Sequence, residues 1–136
     1  SMNSNFVGTL YFKEDNLLEI ILGVHRINKL IAREVSEETD KNNLTLNEFL
    51  VLIEIKKGFQ KKIDISNKLF IKRQNVTIIF DSLFKKKIVD INNNKTEFGN
   101  DSLNKSVRKI SERIKLLFRN IDHDNISGFI KTIDKL

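Results

Sequence analysis

Lys72, Arg73, Gln74, Asn75 and Thr77 place five hydrogen-bond donors within six consecutive positions. Side chains of this kind, with no titratable partner set among them, are suited to binding. An arginine can bridge O6 and N7 of a guanine, a glutamine can pair with adenine, and a lysine neutralises phosphate. Ile78 sits among them and has two readings: an apolar contact for a thymine methyl, or one more isoleucine in an isoleucine-rich chain. Lys85 and Lys86 close the same stretch.

The elements that must hold these donors lie in residues 63–89. Val76, Ile79, Phe80 and Leu83 recur at i, i+3, i+4 and i+7, one apolar stripe of a helix, so the donors occupy its outer face and its open front end. Ile65 and Leu69 repeat the pattern over one turn of a shorter helix, and the break falls at Phe70-Ile71. A short support helix followed by a helix with donors at its start is the layout of a helix-turn-helix reader of the DNA major groove. A helical hairpin with a solvated polar face is the plainer alternative.

Charge separates the two. Residues 56–95 hold eleven basic and three acidic side chains, a net of +8, whereas the remainder nets −2. AT-rich coding that favours lysine would have spread the excess evenly. Its concentration around the two helices is the footprint of a phosphate-contacting surface.

Other functions find little footing. The sequence has no cysteine, which removes disulfides, thiolate metal sites and a Cys nucleophile. His25 and His123 are far apart and make a poor metal site. No glycine-rich phosphate loop or serine elbow is present, so neither enzyme chemistry, a cofactor nor a metal is expected. With 136 residues the chain suits one domain. Ser1 before Met2 reads as an expression remnant, and the absence of a secretory or membrane-spanning pattern points to a cytoplasmic protein.

Along the chain, residues 3–14 (with Phe6, Val7, Leu10, Tyr11 and Phe12) read as an apolar arm or the start of a helix. A helix from about Asn16 to Ser36 follows; Ile20, Val24, Ile27 and Ile31 form one stripe, and Leu18, Leu22 and Leu30 lie off it. Two apolar faces on one helix imply a second neighbour, most simply another copy of the chain. Residues 36–43 read as a polar connector, and Thr45 with Glu48 as a capping box, flanked by Leu44 and Phe49 as a hydrophobic staple. Gly58 ends that helix. Residues 88–91 and 95–98 alternate like two strands around Asn92-Asn93-Asn94, a small hairpin. Asn100-Asp101-Ser102 reads as a helix start. Beyond it Leu103, Val107, Ile110, Ile114, Leu117 and Ile121 step by 4, 3, 4, 3, 4, the seam of a coiled coil. Asp122 caps a last helix carrying Ile126, Phe129, Ile130 and Ile133, with Gly128 inside it.

This order resembles the MarR-type winged-helix regulators, including their SarA-like branch. The likeness is carried by residues 44–89: Leu44 to Phe49, Gly58, Asp64 to Leu69, and Val76-Thr77 with Asp81, Leu83, Lys85 and Lys86. It implies a mainly α fold with a β-hairpin wing. Residues of about 44–99 would form the winged helix-turn-helix, and about 5–43 with 101–136 a helical dimerisation region. It also implies a homodimer on an imperfect palindrome, with Ile20, Val24, Leu103, Val107, Ile110, Ile114, Leu117, Ile121 and Phe129 at the interface. Carried over by position, Arg73, Gln74, Thr77 and Ile78 approach base edges, and Lys72, Asn75, Lys85 and Lys86 approach phosphates. Family members often take a small aromatic ligand between the dimer helices and the DNA-binding domain, and some work without one. An effector pocket would lie near the first, second and fifth helices. Three features depart from the family: Lys95 is the only basic residue of a short wing, Lys72 stands where a capping Ser or Thr is usual, and Ile78 replaces a common arginine. The leading expectation is a dimeric, sequence-specific transcription regulator. The competing one is a winged-helix dimer without DNA binding that serves as a protein-interaction module.

Overall fold

The structure is a computed structural model that describes residues 13–59 and 61–136. Six helices follow one another among them: α1 (Glu14–Lys41), α2 (Leu46–Lys56), α3 (Lys62–Leu69), α4 (Arg73–Lys85), α5 (Glu97–Leu117) and α6 (His123–Asp134). Phe6, Val7, Leu10, Tyr11 and Phe12, read as an arm, lie outside the described residues. The chain divides into two compact units, Ser1–Arg33 and Glu34–Leu136. In the first, Leu17, Leu18, Ile20, Ile21, Leu22 and Val24 of α1 are all exposed.

The second unit is built around α2. Its start is the capping box expected from Thr45 and Glu48: the Thr45 hydroxyl accepts from the Glu48 N–H (3.1 Å), and the Glu48 carboxylate accepts from the Thr45 N–H (2.8 Å). Leu44 and Phe49, the expected staple, are both buried. Gly58, at φ +101, follows the last turn in a conformation that a side chain would strain. Between these ends Phe49, Val51, Leu52 and Ile55 are buried, and α3 and α4 pack on α2 and on each other. Ile65 from α3 and Val76, Ile79, Phe80 and Leu83 from α4 fill that core, as the periodicity required. Each such side chain contributes about 1.5–3 kcal/mol relative to exposure.

α1 runs five residues past the expected end at Ser36, so the polar stretch read as a connector is mostly helix. The reason lies on α5. Arg113 donates to Glu38 (2.7 Å), to Glu34 (3.2 Å) and to Glu37, three carboxylates on the last two turns of α1. Asn42 adds a hydrogen bond to the buried Ser106 of α5 at 2.9 Å. The hydrogen bond from Arg113 is the main cause that holds the Glu38 carboxyl below its usual range, and it raises Arg113 in turn.

The two strands expected for a hairpin wing do not form among the described residues. Val89 and Lys95 form a single antiparallel bridge, and Asp90 closes the turn between them by accepting from the N–H groups of Asn92 and Asn94 (2.9 and 3.0 Å). The return strand over residues 95–98 is replaced by a helix start. Thr96 caps α5, its hydroxyl accepting from Gly99 N–H at 3.0 Å, so Glu97 and Phe98 are helical and α5 begins before Asn100-Asp101-Ser102. The expected seam is also divided. Leu103 is fully buried and Ile110 nearly so, whereas Val107, Ile114 and Leu117 are half-buried. α5 ends at Leu117, which leaves Ile121 in the turn beyond it. Asp122 caps α6 through Asn125 N–H at 2.8 Å.

Candidate nucleic-acid interface

α4 is two-faced because Val76, Ile79, Phe80 and Leu83 are spent on the core. Lys72 at the N-cap and Arg73, Gln74, Asn75, Ile78, Asp81, Phe84 and Lys85 along the helix are left exposed, with Thr77 half-buried. Ile78 is 63% exposed, so it takes no part in the core that the other isoleucine of the helix, Ile79, joins. The Thr77 hydroxyl donates to the Arg73 carbonyl at 3.3 Å, the usual resting place of a helical threonine. No side chain caps the front of α4, as Lys72 in the cap position foretold. An uncapped helix start leaves N–H groups available to an anion, and two cationic side chains stand beside it.

The C-terminal end of α4 is different. Lys86 donates to the Glu48 carboxylate and to the Asn43 carbonyl, both at 2.7 Å, and Ser82 donates to the same carboxylate at 2.9 Å. Lys86 is therefore engaged inside the domain. Burial works against the charge of Glu48, but the hydrogen bonds from Lys86, from Thr45 N–H and from Ser82 outweigh it and hold the carboxyl below its usual range. Periodicity gave no signal for this network, because its members are 34 and 38 residues apart.

At the bridged turn, Lys95 is half-buried and donates to Asn100 Oδ1 at 3.2 Å. The tip is apolar and acidic: Ile91 is exposed, and Asp81, Phe84, Asp90 and Ile91 line a small recess beside it. A second, larger groove of about 710 Å³ lies away from α4, between α2, α5 and α6. Phe49, Ile53, Ile114, Phe118, Phe129 and Ile130 are among its walls, and Ser111 and Lys115 are its polar groups. It differs from the expected pocket in drawing on α6 in place of α1. Among the described residues no three His, Cys, Asp or Glu side chains come together to hold a metal, and no helix is long and apolar enough to cross a membrane.

No family model matches the sequence, and no curated protein does. Solved structures do. A MarR-family transcriptional regulator from Rhodococcus sp. RHA1 superposes with a TM-score of 0.78 at 12% identity, over 92% of this chain and 96% of its own. The transcriptional regulator BldR of Sulfolobus solfataricus gives 0.75 at 16% identity, over 91% and 99%. The MarR-family protein Rv2887 of Mycobacterium tuberculosis, solved with DNA, gives 0.69 at 15% identity, over 82% and 92%. The fold is that of the MarR-type regulators. Rv2887 has also been solved with salicylic acid.

Proposed function

We propose that the chain is a DNA-binding transcription regulator that acts as a homodimer on a palindromic operator. The observation that carries this reading is the front of α4: Lys72, Arg73, Gln74 and Asn75 are all exposed on a helix whose opposite face is locked into the core. A helix held this firmly presents its donors at fixed spacing, which is what reading a groove demands. Arg73, Gln74, Thr77 and Ile78 serve as base contacts, and Lys72, Asn75, Lys85 and Lys95 as phosphate contacts. Lys86 leaves the phosphate set because Glu48 holds it. The region of about 44–99 is the DNA-binding part, and the flanking helices are the dimerisation part.

Dimerisation is supported by apolar surface that is exposed among the described residues. Ile20 and Val24 on α1, and Ile121, Phe129, Ile130 and Ile133 at the other end, are exposed; Val107, Ile114 and Leu117 are half-buried. Leu103 and Ile110 belong to the core of the protomer itself. The apolar groove beside α6 offers Lys115 and Ser111 to a small aromatic acid, in keeping with the salicylic acid complex of Rv2887.

The apolar, acidic wing tip favours a second reading, a protein-interaction module that no longer binds DNA. Gel retardation on a pool of random duplexes, repeated over a salt series, separates the two. A DNA reader enriches one palindrome and weakens steeply with salt. Failure to retard any duplex at low salt would leave the second reading.

A further inference from the structure

Phe70, in the turn between α3 and α4, costs the fold twice. Its ring is 97% exposed, and its backbone sits at φ 54, ψ 40 in the left-handed region. That region disfavours any residue with a Cβ, bulky ones most, whereas Asn43 and Asn93, which share it, tolerate it well. Glycine at this position would remove both costs. The ring provides nothing in exchange, since the turn is held by other groups. Phe70 N–H and Ile71 N–H both donate to the Ser66 carbonyl, and the Ser66 hydroxyl donates to the Ile71 carbonyl. A residue that strains the backbone and buries nothing is placed for something outside the chain.

Its surroundings say what that is. Residues 65–80 contain Lys68, Lys72 and Arg73 and no acidic side chain. Phe70 is thus an apolar group set in a cationic segment, directly ahead of the uncapped front of α4. The complementary surface is a polyanion that carries apolar groups within reach of its charges. The major groove of DNA has such a group, the C5-methyl of thymine.

We propose that Phe70 packs on a thymine methyl beside the bases read by Arg73 and Gln74, and so selects thymine at that step. The inference rests on the DNA-binding reading above. It is tested with the wild-type chain and the duplex it enriches from a random pool. Each thymine is replaced in turn by deoxyuridine, which removes the methyl group and leaves the base pairing intact. Wild type should lose about three- to tenfold in affinity at one thymine position of the half-site. Phe70→Gly should lose a similar factor on the thymine duplex and show no further loss at that deoxyuridine. The variant should melt no lower than wild type, and about 3 °C higher if the strain is relieved in full, so weaker binding cannot be assigned to misfolding. Indifference of wild type to every methyl, or survival in Phe70→Gly of every methyl dependence that wild type shows, would overturn the proposal. If wild type enriches no duplex at all, the DNA-binding reading itself fails, and this inference falls with it.

Discussion

Lys86 Nζ stands 2.7 Å from the carboxylate of Glu48, and this pair joins the C-terminal end of the helix that carries the candidate reading face to the first turn of the core helix α2. Glu48 is 2% exposed and also accepts from Ser82 and from Thr45 N–H, so one carboxylate fixes both the cap of α2 and the angle of α4. Removing Lys86 alone leaves a buried, unpaired charge. Lys86→Ala should therefore cost about 3 kcal/mol, and Glu48→Gln with Lys86→Ala together less than the sum of the two single changes. Urea unfolding of the four proteins closes the cycle, and strict additivity would show that the pair is not coupled. The pH dependence has a definite sign. Because the folded carboxyl of Glu48 is held below its usual value of 4.5, its contribution is complete above that pH and is lost as pH falls through the lower, folded value. The stability gap between wild type and Glu48→Gln should stay level from pH 8 to about 5 and narrow in acid.

Gly99 makes the close approach of α5 to the Ile88 backbone possible. A Cβ there would lie 2.1 Å from the Ile88 carbonyl oxygen and 2.8 Å from its carbon, both backbone atoms of the bridged turn. Gly99→Ala must push the start of α5 away from Ile88, and should cost about 2–3 kcal/mol. Gly128, inside α6, has nothing within 4 Å of its own Cβ position, so Gly128→Ala should stabilise by up to about 1 kcal/mol. Thermal melts of both variants check the opposite signs. Equal effects would mean that the close approach at Ile88 is not felt.

The proposed dimer depends on the half-buried part of the α5 seam. Ile114 lines the apolar groove together with Phe118 and Phe129, and a carboxylate placed there by Ile114→Glu would be desolvated in any interface that covers it. Dimer dissociation should become easier by about 3 kcal/mol or more, while helicity is retained because Ile114 is not part of the sealed core. Sedimentation at micromolar concentration reads both states. A wild-type protein that sediments as a folded monomer at that concentration would sink the dimer.

How much of this was legible depended on the range of each interaction. The stripe of Val76, Ile79, Phe80 and Leu83, the box of Thr45 and Glu48, the stop at Gly58 and the cap at Asp122 are local, and the structure bears each of them out. The end of α1 was missed because Glu34, Glu37 and Glu38 look solvated until Arg113, more than seventy residues later, collects them. Thr96 was misplaced for a related reason. Lys95 to Phe98 alternates like a strand, but the Thr96 hydroxyl also donates to the Lys87 carbonyl (2.6 Å), a tertiary bond that sets it at the helix cap. The 4, 3, 4, 3 spacing after Leu103 is real. It serves two partners in turn, the domain's own core at Leu103 and Ile110 and an open face at Val107, Ile114 and Leu117. Spacing alone does not distinguish them.

Base preference should follow α4 and not the wing. Arg73 is exposed at the start of α4 with its fork available to a guanine, whereas Lys95 is half-buried, bonded to Asn100 and set beside the acidic, apolar turn of Asp90 and Ile91. Arg73→Ala should weaken binding to the enriched palindrome by about 1–3 kcal/mol and blur preference at one base pair per half-site. Lys95→Ala removes only a point charge. It should lower affinity slightly for every sequence and flatten the salt dependence by about one unit per half-site. Both variants lie outside the buried core, so a change in binding without a change in melting temperature is expected of each. Fluorescence anisotropy at several salt concentrations, on the palindrome and on duplexes with single substitutions, measures the two effects side by side. A Lys95→Ala variant with altered base preference, next to an Arg73→Ala variant that keeps it, would move the reading face from α4 to the wing.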